Sequence, residues 1–413
     1  MKYLLVLVTS VFSFSASAQQ IVFTSDVTHF WEAYDSVQTT TDSLKQLQYI
    51  KKLYMDKGTP GFQTFAKIRN CTADQYVSLI RRCPKFWTSI RPKTFSVISK
   101  QAAIEAGIQS LRRLYPELKP AKIYFTIGCL HAEGTTRDDQ VLVGTELAAG
   151  DSLTDVSEAP VAFARNVFKN QDTSNIVYLN VHEYVHTQQS SDGSDLLGNC
   201  LAEGAADFMA ELATGKPLHN TYILYGRAHE ATLKEEFKRE MFLPYIQNWL
   251  YNARITPDRA DLGYFMGYSI CSAYYARMGD KAQAIRDIIQ LKYEDTAAVA
   301  QFLDRSGYYL DHPDRAGLIL SYRAQQPHLV GIRLPSGALA FQQDSILAPG
   351  VKEVVLVFSE PMRGMDSALF IIKLDIKPGE EYHKVISGNR FMSQRGYALA
   401  DYTLNFRTSA AKP

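Results

Sequence analysis

The sequence has no excess of charge. Its 44 Lys and Arg face 43 Asp and Glu, so no net field would draw nucleic acid or an anionic membrane surface to it. It has no internal repeat and no low-complexity segment, and 46% of it is hydrophobic, which sets aside the disordered class. Past the first eighteen residues no apolar run approaches the roughly 20 residues that a membrane-spanning helix takes. Cysteines are few and odd in number, Cys71, Cys83, Cys129, Cys200 and Cys271, at spacings that fit no zinc knuckle. One thiol at least is left over, most are expected to be buried and free, and Cys71 with Cys83, the nearest in sequence, is the preferred pair for a bridge.

What is present begins with Lys2, an apolar run over 3–14, and Ala16-Ser17-Ala18. This is the pattern of a secretory signal cleaved near Gln19. The expectation is a signal peptide over 1–18 and a protein secreted across the inner membrane, periplasmic or extracellular. At 413 residues the remainder favours two domains. Residues 24–120 read as amphipathic helices, with Leu44, Leu47, Ile50 and Leu53 at three- and four-residue steps. Residues 121–129 read as a strand between Pro120 and Gly128, and 140–144 as another, across a turn at Gly134-Thr135-Thr136. Helices return from Asp172 and continue to about Asp304. After Pro327 the texture changes to short strand-like runs, 351–362, 369–376 and 402–406, separated by Gly, Pro, Asn and Asp, enough for a small β-sandwich. The boundary is placed at 325–327, giving domains over 19–325 and 326–413.

The stretch that carries chemistry is Val181-His-Glu-Tyr-Val-His186, in a helical run that can start at Asp172 or Thr173. Helical spacing puts His182 and His186 one turn apart on one face, able to share a tetrahedral metal, while Glu183 reaches the open position without ligating. With 9 His in the chain, a chance match to this five-residue pattern arises in about one sequence of this size in a hundred. The segment 199–211 forms a second helix, ended by Gly215 and Pro217. It offers Glu203 as third ligand and, four residues on, Asp207 to accept the outer N–H of a ligand histidine. Small Ala202, Ala205, Ala206 and Ala210 would let that helix lie close against the histidine helix. The competing reading is a buried helix whose histidines are merely hydrogen-bonded.

His182-Glu183-x-x-His186 followed by Glu203-x-x-x-Asp207 resembles the gluzincin metallopeptidases, in which two His and a downstream Glu hold zinc. Residues 24–34 (TSDVTHFWEAY), Gly134-Thr-Thr136, 201–208 (LAEGAADF) and 263–268 (GYFMGY) look like an uncharacterised bacterial family of predicted zinc-dependent proteases, a likeness covering about residues 22–310. Val357-Phe-Ser-Glu-Pro-Met362 is similar to bacterial immunoglobulin-like domains of secreted proteins. The resemblances imply an α+β chain, with a mainly helical zincin-like metallopeptidase domain holding a small sheet, followed by a small all-β immunoglobulin-like sandwich. They also imply one Zn2+ per chain.

Zinc so held lowers the pKa of its water toward about 7, and Glu183 can take the proton as that water attacks a carbonyl. For the oxyanion, Tyr268 is the first candidate, with Tyr264 and His229 behind it, against the alternative that a Tyr in an apolar helix simply packs. The strand over 123–128 could pair an extended peptide by edge addition, or be interior. His131 and Glu133 read as loop residues. A peptide or protein substrate, no nucleic acid and no membrane span are the expected partners. The rival class is a secreted non-catalytic binding protein with a structural metal site; the presence of Glu183, which such a site does not need, favours catalysis.

Overall fold

The computed structural model describes residues 20–158, 168, 175–253, 259–341, 345–348, 350–365 and 367–410. The proposed signal segment and the suggested helix start at Asp172 or Thr173 lie outside them. Among the described residues no helix is long and apolar enough to cross a membrane.

The chain is α+β, with helices interrupted by one small sheet and followed by two more. Strand β1 (Val22–Phe23) leads into helices α1 (Ser25–Gln38), α2 (Ser43–Tyr49, prolonged by a π-helical turn Ile50–Met55), α3 (Pro60–Arg69) and α4 (Ala73–Arg82). Local chemistry fixes the ends. Thr59 caps α3 by accepting from Phe62 N–H ahead of Pro60, and Thr72 with Gln75 forms a capping box at α4. Helix α5 (Pro84–Leu114) runs 31 residues. It delivers the chain to strands β2 (Lys122–Thr126), β3 (Gly134–Arg137) and β4 (Gln140–Gly144). A short α6 (Thr145–Ala148) precedes α7 (Asn175–His186), α8 (Leu196–Thr214) and α9 (Thr221–Lys238). Helices α10 (Leu262–Arg277), α11 (Lys281–Ile289), α12 (Thr296–Ser306) and α13 (Arg315–Arg323) complete this part.

The first sheet has the order β1-β2-β4-β3, with β1, β2 and β4 parallel and β3 antiparallel to β4. One open alternative is settled here and one expectation changes. The strand read at 123–128 is interior, and the Gly134-Thr135-Thr136 segment is itself the edge strand, turning into β4 at Asp138 (φ 53°). Its Thr-Thr-Arg composition lacks the apolar alternation by which strands are recognised, because one face borders a cleft and the other is half exposed.

The tail holds β5 (Leu329–Arg333), β6 (Leu339–Phe341), β7 (Ser345–Leu347), β8 (Glu353–Phe358), β9 (Leu369–Lys373), β10 (Glu381–Ile386) and β11 (Tyr402–Thr408). They form the sheets β10-β11-β7 and β6-β5-β8-β9. Alternating burial along β8 sends Val354, Leu356 and Phe358 into a core shared with Ile386, Leu404 and Phe406 of the other sheet. That core is separate from the one spanning 22–309. Between them the Tyr322 hydroxyl receives Ala398 N–H at 2.9 Å.

The cysteine expectation also changes. Cys71 and Cys83 flank the ten-residue α4, a length of about 15 Å, whereas a bridge needs Cα atoms within about 7 Å. All five thiols are free and buried. Cys83 donates to Glu158 O at 3.1 Å, and Cys71 lies beside Cys129 and Gly128 O.

Candidate metal centre

Helix α7 presents His182 and His186 on one face, as a four-residue step requires, and α8 brings Glu203 up to them. His186 Nε2 lies 3.0 Å from His182 Nε2 and 3.1 Å from Glu203 Oε2, and His182 Nε2 lies 3.4 Å from the same oxygen. The outer nitrogens define the tautomers. His182 Nδ1 stands 2.6 Å from Asp207 Oδ1, and His186 Nδ1 2.7 Å from Gln189 Oε1. A carboxylate can only accept, so His182 Nδ1 donates. Gln189 gives its amide N–H to Ala202 O at 2.8 Å, which leaves its oxygen toward His186. With both Nδ1 atoms protonated, two imidazole lone pairs and a carboxylate oxygen point at one another, an arrangement that a proton or a metal ion relieves. Donors bound tetrahedrally to zinc at about 2.0–2.1 Å are about 3.3 Å apart, close to the three distances found. The residues therefore fit a divalent ion, and no other His, Cys, Asp or Glu group among the described residues comes together this way.

Asp207 is fully buried, and its remaining acceptor capacity is taken by Tyr178 on Oδ1 and by Tyr222, 3.0 Å from Oδ2. Tyr251 donates to Glu203 Oε1 at 2.6 Å, leaving Oε2 for the metal position. Electrostatics follow the geometry. Burial lowers the His182 pKa, but Asp207 and Glu203 outweigh it and hold it well above the usual histidine value; Glu203 acts likewise on His186. For Glu203, burial is outweighed by His186 and His182, which hold its carboxyl well below the usual range. Glu183 makes no bond to the triad, and burial raises its pKa despite the two histidines.

A cleft of about 660 Å³ opens over this centre, lined by α7, α8, strand β3 and the loop before it, with Tyr251 and Tyr264 at one side. Strand β3 comes so close that a Cβ on Gly134 would sit 2.4 Å from Glu183 Oε1, which gives the Gly134-Thr-Thr136 pattern a physical reason. His131 is in the loop as expected and also lines the cleft. Glu133, in the same loop, is pushed up to about 7 by burial and then by Glu183 and Asp261.

His182, His186, Glu203, Asp207 and Glu183 are thus brought together where the helical spacing put them. Tyr268 is not. Its hydroxyl donates to Glu211 Oε1 at 2.8 Å and receives Arg227 at 3.4 Å, burial and Glu211 push its pKa up to about 12, and it is not among the cleft residues. Glu211 lies two helical turns beyond Glu203, and Tyr268 follows it along the parallel α10. Tyr264, one turn earlier, is the α10 phenol that lies at the centre, its ring 6.2 Å from that of His182 at 21°. His229 stacks on Tyr225 at 4.0 Å and also lies off the cleft. Gln189, Tyr178, Tyr222 and Tyr251 were missed by sequence reasoning. Tyr178, four residues before His182 on α7, carried a helical signal, whereas Gln189 lies just past the end of that helix. The small residues of α8 mattered, but the tightest approach is to α10: a Cβ on Gly204 would be 2.0 Å from Tyr268 N, and one on Gly267 1.6 Å from Cys200 O.

No protein-family model matches this chain, and no curated protein matches its sequence.

Proposed function

We propose that the chain is a secreted zinc-dependent hydrolase acting on peptide bonds, with His182, His186 and Glu203 as metal ligands and Glu183 as general base. The observation that carries this reading is the triangle of three lone-pair donors with a buried, unliganded carboxylate beside it. A structural site has no use for Glu183 and closes its fourth position with protein.

When bound, the ion supplies Lewis acidity, lowering the pKa of water at the site toward about 7 and polarising a carbonyl. Glu183, made more basic by burial, takes the proton from the attacking water and returns it to the leaving amine nitrogen. Asp207, oriented by Tyr178 and Tyr222, holds the Nδ1 proton on His182, and Gln189 does so for His186. Tyr264 is the donor to the developing oxyanion; burial keeps its phenol protonated. Among the described residues strand β3 pairs on one side only, so its free edge can take an extended peptide by strand addition. The helical part is read as zincin-like and the β-rich tail as immunoglobulin-like, on the sequence resemblances and the separate cores.

The test is metal content by mass spectrometry for wild type and Glu203→Ala, with peptide-library cleavage by wild type and Glu183→Gln. The expected result is one zinc per chain, lost in the Glu203 variant, and cleavage abolished in the Glu183 variant with zinc retained. Stoichiometric metal without cleavage would favour the non-catalytic binding protein, and no metal after reconstitution would sink the proposal.

A further inference from the structure

We propose that Arg69 is a specificity residue that anchors a carboxylate of the substrate in the cleft. This rests on the peptidase reading above. Arg69 is the one Lys or Arg among the residues lining the cleft, whose other charged side chains include Glu183, Asp192 and Glu203. Its guanidinium forms no ion pair or hydrogen bond with any described residue, and its Nε is shut off from solvent without a partner. Arg69 is only half-buried and lines the cleft, so the rest of its guanidinium, also without a partner among the described residues, is what can take an acceptor from elsewhere. Its charge is felt by Glu183, yet the two groups are not paired. The five donors of a guanidinium form a flat fork that matches a carboxylate through two parallel hydrogen bonds.

The base of the side chain is fixed. Arg69 is the last residue of α3, which Asn70 ends in the left-handed conformation (φ 52°) while Cys71 N–H closes back on Ala66 O at 2.9 Å. One turn earlier Phe65, on the same face, is fully buried against the β2–β3 loop, where a Cβ on Gly128 would be 2.5 Å from its ring. Arg69 therefore projects over that loop from a helix that cannot shift without breaking the core. The fixed backbone sets where the guanidinium can reach, and ordering the long side chain is the cost that its partner must offset.

Two sources can supply the carboxylate: the substrate's own C-terminus, or an Asp or Glu side chain near the scissile bond. The first makes the enzyme trim chain ends, the second makes it select acidic sequences.

The experiment measures binding, so that it stands apart from turnover. Full-length, zinc-loaded Glu183→Gln protein is titrated calorimetrically with one short peptide in three forms: free acid, C-terminal amide, and amide with Glu placed at successive positions. The same series is run on the Glu183→Gln/Arg69→Met and Glu183→Gln/Arg69→Lys proteins, with metal content and melting temperature recorded for each. The expected result is that one carboxylate form binds at least about 10-fold more tightly than the neutral amide, the size of a charged hydrogen-bonded contact. The gain vanishes in Arg69→Met, is partly kept in Arg69→Lys, and leaves neutral-peptide affinity unchanged. Which form gains identifies the source. Equal affinity for all forms, a gain that survives Arg69→Met, or no binding of any form overturns the proposal. Binding that behaves as expected while wild type cleaves nothing would instead overturn the hydrolase reading alone.

Discussion

Tyr251 places its hydroxyl 2.6 Å from Glu203 Oε1, so the oxygen that does not face the histidines is already occupied. Tyr251→Phe is expected to free that carboxylate to rotate and to weaken zinc affinity by about 10-fold, the low end of what loss of a supporting contact costs. Competition with a chelator of known affinity measures it; unchanged affinity would show that the bond plays no part in ligand positioning.

Asp207 holds the other side of the centre. Asp207→Asn keeps the shape but replaces a charged acceptor beside His182 Nδ1, and is expected to cost 10–100-fold or about 1.4–2.8 kcal/mol in metal affinity. The same titration reads it, with a thermal melt to separate loss of ligand geometry from loss of fold.

The metal-free centre should carry bound protons at neutral pH. The folded pKa values of His182 and His186 are raised, so both sites favour the protonated form up to a higher pH than free imidazole does. A metal ligand must be neutral, hence zinc binding near pH 7 releases protons and affinity falls as pH drops. Calorimetry of zinc binding in buffers of different ionisation enthalpy counts the protons; a slope of zero would rule this out.

Glu146 offers a stability test away from the centre. Its buried carboxylate accepts from Gly128 and Leu130 N–H, yet burial pushes its pKa up to about 7. A folded pKa above the unfolded value means that the folded state binds the proton more tightly. The contribution is therefore full at low pH and lost as pH rises toward 7, amounting to about 3 kcal/mol. Wild type minus Glu146→Gln stability should fall between about pH 4.5 and about pH 7 in denaturant titrations and level off above that. A flat difference would mean that the Gly128 and Leu130 N–H bonds cancel the burial.

Much of the centre was legible because helices turn residue spacing into direction. His182, His186, Glu203 and Asp207 could be placed on facing surfaces from three- and four-residue steps alone. Spacing does not say how far along a helix its neighbour reaches, which is why Tyr268 and Tyr264, on one face of α10, could not be told apart. Tyr251 (φ 54°) sits in a bend between helices, where no period exists to read. Strand β3 was hidden by its polar residues, and the tail strands were visible because alternation survives wherever one face is buried. The change to β-rich texture at 325–327 falls between the end of α13 and the start of β5.

The contact between Gly204 and Gly267 bears on how this protein can change over time. Glu203 is the neighbour of Gly204, so the distance between two helix backbones sets the reach of a metal ligand. A single added methyl at either glycine moves the carboxylate before it touches any group in the cleft. Ligand-preserving variation is therefore confined to sequences that leave both positions bare. The centre can be lost through residues that never see metal, water or substrate.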